Sequence, residues 1–95
     1  MKKLSKIEVT NKLKKLSGWK FVKGRNAITK KFNFKNFTEA FGWMTSMAFY
    51  AEKKDHHPEW FNVYSTVEVT LSTHDAGGVT SLDLDMAKEM NQKSK

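Results

Sequence analysis

Apolar positions along this chain change period several times, and each change marks an element. Ser5-Lys6-Ile7-Glu8 is a capping-box pattern, in which hydroxyl and carboxylate satisfy free amides at a helix start. Ile7, Leu13 and Leu16 follow as a sparse apolar stripe, with Gly18 as the stop. From Trp19 the period falls towards two. Trp19 and Phe21, then Ile28, Phe32 and Phe34, read as two short strands joined by a turn at Lys23-Gly24-Arg25-Asn26.

Asn36-Phe37-Thr38-Glu39 opens the strongest helix. At 100° per residue, Phe37, Ala40, Phe41, Met44, Met47, Ala48 and Ala51 share one face, which Trp43 and Tyr50 widen at an edge. A sheet needs only part of that arc; the rest suggests a subunit interface or a wide core contact. Pro58 biases His57 away from helical geometry, so the helix ends near Lys54. Trp60–Tyr64 and then Val67, Val69 and Leu71 read as a second pair of strands. After Gly77-Gly78, Thr80-Ser81-Leu82-Asp83 caps a third helix whose face is Val79, Leu82, Met86 and Met90. The order helix-strand-strand-helix-strand-strand-helix predicts an α+β domain, a four-stranded antiparallel sheet with helices packed on one face.

Length makes this a single domain over 1–95, with lysine-rich ends at about 1–4 and 93–95 expected to fray. Small domains bury little of their surface, so self-association is a natural expectation. There is no cysteine, which excludes disulfides, thiolate metal sites and cysteine nucleophiles. The basic N-terminus lacks the apolar run of a signal peptide, and no stretch approaches membrane-spanning length. A soluble cytoplasmic protein without membrane contact is expected.

The net charge of +7 is uneven: residues 1–35 carry +11 and residues 36–95 carry −4. A basic half can attract nucleic acid. Here the lysines are interspersed with core positions instead of clustered, which favours solvated outer faces over direct nucleic-acid binding.

All three histidines lie at junctions, in Asp55-His56-His57-Pro58 and Thr73-His74-Asp75. Histidine exchanges protons near neutrality, and a carboxylate such as Asp55, Asp75 or Asp83 can fix its tautomer. Asp83 has a competing role in the helix cap. Spacing alone leaves three readings open: acid–base chemistry, a three-imidazole metal site, or incidental surface histidines. Neighbouring His56 and His57 point apart in most backbones, which makes joint ligation of one ion awkward.

The segment from Ala51 to Tyr64, with Asp55-His56-His57-Pro58-Glu59-Trp60 at its centre, closely resembles the signature of the pterin-4a-carbinolamine dehydratases. So does Leu71-Ser72-Thr73-His74-Asp75-Ala76-Gly77-Gly78-Val79-Thr80, followed by Asp83 and Ala87. Gly18-Trp19, Gly24-Arg25-Asn26-Ala27-Ile28 and the Phe37, Ala40, Phe41, Met44 spacing are also similar, so the likeness runs from about Leu16 to Met90. The lysine-rich N-terminal part and Ser81-Leu82 depart from it.

The resemblance implies a hydro-lyase that removes water from a 4a-hydroxy-tetrahydropterin to give quinonoid dihydropterin, supporting tetrahydrobiopterin recycling. It further implies an enzyme without metal or other cofactor, assembled as a homodimer or homotetramer. Animal members also serve as a dimerisation cofactor for a transcription factor, so a non-enzymatic role through the central helix stands as the alternative. Carried onto this sequence, His56 and His74 are the acid–base pair and His57 places the substrate. Pro58, Thr73, Asp75 and Ala76 line the pterin pocket, and Glu52, Asp55 and Asp83 orient the histidines. Trp60, opening a strand, is read as structural.

Overall fold

A computed structural model describes residues 2–95, and its elements follow the expected order. Helix α1 (Lys6–Leu13) leads to strands β1 (Lys20–Phe21) and β2 (Ile28–Asn33). Helix α2 (Phe37–Lys54) leads to β3 (Glu59–Val63) and β4 (Thr66–Leu71), and a 3-10 turn at His74–Ala76 precedes α3 (Ser81–Lys93). All pairings are antiparallel, in the spatial order β1-β2-β4-β3. Two hairpins therefore lie side by side, joined where Ile28 faces Leu71 and Phe32 faces Val67.

Alternation along the strands sorts the two faces of the sheet. Ile28, Phe32, Val67, Val69 and Leu71 are buried in one core with residues of all three helices. Lys31, Glu59, Phe61, Val63 and Glu68 are exposed on the other face. Lys30 is the inward exception. Its stem lies over the Phe32 ring, and Nζ donates to the Ser17 carbonyl and Asn91 Oδ1, both at 2.9 Å. Partial burial pushes this amine below its ordinary pKa.

Helix faces differ from expectation in three places. In α1 the buried residue is Val9, with Leu13 and Leu16 continuing its row, while Ile7 is 75% exposed. The capping box at Ser5 and Glu8 forms as expected. In α2 the core takes Ala40, Trp43, Met47 and Ala51, so Trp43 is central and not marginal. Its ring meets Phe32 at 4.6 Å, Phe34 at 5.2 Å and Trp60 at 6.3 Å between centroids. Phe37 and Phe41 remain exposed beside that stripe, and Phe49 is exposed on the opposite side of the helix. In α3 the buried row is Asp83, Leu84, Met86, Ala87 and Met90, with Leu82 rotated towards the surface. Met1, expected to fray, lies outside the described residues; the Leu4 N–H donates to the Val79 carbonyl at 2.9 Å, and α3 continues through Lys93.

Candidate active site

Helix α2 closes on Asp55, whose left-handed φ of 50° turns the chain sharply. Its N–H reaches the Ala51 and Glu52 carbonyls, and the His56 N–H returns to Ala51 at 3.0 Å. Pro58 then holds the following backbone extended. Two adjacent imidazoles thereby find different partners. His56 is buried, with Nε2 2.6 Å from Asp83 Oδ1; His57 is exposed, with Nε2 2.6 Å from Glu52 Oε1.

Asp83 is the third residue of α3 and is wholly buried. Its Oδ2 accepts the Thr80 N–H at 2.9 Å and the Thr73 hydroxyl at 2.8 Å, while Oδ1 meets His56. Thr80 and Thr73 hydroxyl oxygens lie 2.7 Å apart. One carboxylate thus ties the start of α3 to the segments that follow α2 and β4. The contacts that compete for Asp83 in the sequence are divided between its oxygens: Oδ2 caps the start of α3 and Oδ1 bonds His56.

The third imidazole stands on a small hairpin beyond β4. Thr73 and Gly78 exchange backbone bonds of 2.9 and 3.3 Å, and Gly77, at φ 76°, closes the 3-10 turn between them. His74 begins that turn and is exposed. Among the described residues its ring has no hydrogen-bond partner. Asn26, from the β1–β2 turn, buttresses this hairpin: its Oδ1 accepts the Val79 N–H at 3.0 Å and its carbonyl accepts the Ser72 hydroxyl at 2.9 Å. A Cβ at Gly78 would stand 2.6 Å from Asn26 Cγ, so glycine alone allows this approach.

These segments enclose an open cleft of about 440 Å³. The α2–β3 junction contributes Asp55, His56 and His57, and the stretch after β4 contributes Thr73, His74, Asp75 and Ala76. Glu52 and Asp83 connect to it through His57 and His56. Pro58, expected in the lining, is not part of it; it shapes the backbone that carries the histidines. Ser72 and Leu82 line the cleft without having been expected there. The outward parity of Thr70 extends to Ser72, which is the signal for it. No three His, Asp or Glu side chains among the described residues converge to hold a metal ion.

Beside this cleft, Arg25 pairs in two-pronged fashion with Glu59 at the start of β3, one N–H···O contact measuring 2.8 Å. The hydrogen bond from Arg25 holds the Glu59 carboxyl below its ordinary pKa, and the guanidinium is raised in turn. The pair borders a second hollow of about 210 Å³, whose lining includes His74 and Ser72 from the main cleft.

The sequence profile of the family described as Pterin 4 alpha carbinolamine dehydratase matches residues 2–93. This chain belongs to that family. A relative from a Bradyrhizobium species is 57% identical over 96% of the chain and 92% of its own length. One from a Jannaschia species is 64% identical over 80% of the chain and 78% of its own length. Both carry the provisional name pterin-4-alpha-carbinolamine dehydratase, which denotes a hydro-lyase. A crystal structure from Brucella melitensis, described as a transcriptional coactivator/pterin dehydratase, superposes with a TM-score of 0.96 at 53% identity. It covers 98% of this chain and 99% of its own. Among the described residues no helix of this family member is long and apolar enough to cross a membrane.

Proposed function

We propose that this pterin-4-alpha-carbinolamine dehydratase family member converts 4a-hydroxy-tetrahydropterin into quinonoid dihydropterin and water by histidine acid–base catalysis. The observation carrying the proposal is the convergence of His56, His57 and His74 on one cleft. Hydroxide is a poor leaving group, so the 4a-hydroxyl needs a proton as its C–O bond breaks. The electron pair on N5 forms the new double bond to C4a, and N5 releases its proton to a base. Two imidazoles, one donating and one accepting a proton, supply both transfers. His56 and His74 fill these roles, while His57 places the ring. Asp83 commits His56 Nε2, which leaves Nδ1 for exchange with substrate. Thr73, Asp75 and Ala76 line the cleft, where the Asp75–Ala76 turn offers polar main-chain groups to the flat pterin. Such an enzyme acts in tetrahydrobiopterin recycling.

The test is dehydration of the chemically supplied carbinolamine, measured against its spontaneous rate. Acceleration by wild type, lost when His56 and His74 are both replaced by alanine, supports the proposal. No acceleration, or an undiminished rate in the double variant, overturns it; near-stoichiometric zinc in active protein replaces acid–base chemistry with metal chemistry.

A second reading has its own observation. Phe37, Phe41 and Phe49 leave aromatic surface exposed on α2. That surface suits assembly into a homodimer or homotetramer, or the binding of another helical protein. The description of the Brucella protein as a transcriptional coactivator as well as a pterin dehydratase supports keeping a non-enzymatic role beside the catalytic one.

A further inference from the structure

We infer that the hollow bordered by the Arg25–Glu59 pair receives the polar substituent a pterin carries at C6, making this ion pair the selector among pterin side chains. The inference rests on the dehydratase reading and deepens it. Its starting point is the position of His74, which borders both the histidine cleft and the smaller hollow. In a 4a-hydroxypterin only N5 separates C4a from C6. A ring that presents its C4a–N5 edge to His74 therefore sends its C6 substituent past that imidazole. The space on the far side is the Arg25–Glu59 hollow.

The chemistry of that hollow fits a neutral, hydroxylated group. A guanidinium has five N–H donors, of which Glu59 takes two, and the carboxylate retains further acceptor sites. Donors and acceptors thus stand side by side at zero net charge, as adjacent hydroxyls require. A phosphate calls for unbalanced positive charge, which Glu59 cancels. The pair is also held in place before any ligand arrives. Arg25 precedes Asn26, which is bonded to Val79, and Glu59 sits in register with Thr70. Both side chains are about half exposed, at 47% and 58%, so their replacement spares the core.

The experiment compares two carbinolamines, one with a dihydroxypropyl group at C6 and one with methyl. Wild type is expected to favour the first in kcat/KM, through KM. Arg25→Met and Glu59→Gln each reduce that preference about tenfold, the effect of one lost hydrogen bond to a charged group. Arg25→Lys recovers part of it. Competitive inhibition by 7,8-dihydropterins bearing the same two groups reads the same preference without turnover. Should Arg25→Met fail to fold, Glu59→Gln and Arg25→Lys carry the comparison. Equal kcat/KM for both substrates in wild type, or an unchanged preference in the variants, overturns the inference and leaves the dehydratase proposal standing. Turnover of neither substrate overturns both.

Discussion

Asp83 concentrates more of the site than any other single side chain. Its replacement by alanine leaves His56 and the Thr80 N–H without their acceptor inside the protein, and the Thr73 hydroxyl with only that of Thr80. Asp83→Ala is expected to lower unfolding free energy by about 3 kcal/mol, measured by urea denaturation, because buried partners lose their compensation. On the proposed assignment of proton transfer to His56 and His74, His56→Ala and His74→Ala are each expected to lower kcat/KM by about 10²–10⁴ in the carbinolamine assay. Glu59 provides a pH test. Its carboxyl titrates below the ordinary value when folded, so its contribution to stability is present above the unfolded pKa and fades as pH falls through the folded one. NMR titration of the Glu59 side chain in Arg25→Met is expected to show the pKa moving back up.

The two neighbouring glycines separate two causes within one element. Gly77 sits at φ 76° with open space where a Cβ would go, whereas Gly78 is crowded by Asn26. Gly77→Ala is expected to cost about 1–2 kcal/mol of backbone strain, and Gly78→Ala about 1–3 kcal/mol by displacing the hairpin that carries His74. Only the second should also lower turnover strongly, which paired denaturation and activity measurements will check. A Gly-Gly pair in sequence signals a break but not this division, since Asn26 is far away along the chain. The elements themselves were legible because capping boxes and alternation are local. Helix faces were less so: Ile7 and Val9 both fit a sparse stripe, and only the position of the sheet decides which is buried. Pro58, which the resemblance places in the pocket, is not among the residues lining the cleft, and its effect on the backbone that carries the histidines is local to the α2–β3 junction. Ser72, Leu82 and the Arg25–Glu59 pair depend on which loops the β2–β4 register brings together, and no local pattern encodes that.

Across the whole molecule, the core occupies one side of the sheet and leaves apolar surface elsewhere. Phe61, Val63 and Tyr64 are exposed along β3 and its turn, and Phe41 and Phe49 along α2. β3 is an edge strand, and uncovered edges invite pairing. If α2 mediates self-association, Phe41→Glu with Phe49→Glu lowers the mass measured by sedimentation equilibrium and leaves circular dichroism unchanged. An unaltered mass assigns assembly to another face. Charge is distributed just as unevenly, with the basic N-terminal third supplying α1 and the first hairpin while the histidine cleft draws on the acidic remainder.

In the proposed reaction, the shared carboxylate makes the opening turn of α3 a working part of the histidine cleft. Fraying of that turn releases Thr80 and His56 in a single event, so heat should silence turnover before the sheet melts. Amide exchange at Thr80 and the loss of activity are then expected to share one temperature, below that of the Val67–Leu71 amides. Turnover thus doubles as a thermometer for one helical turn.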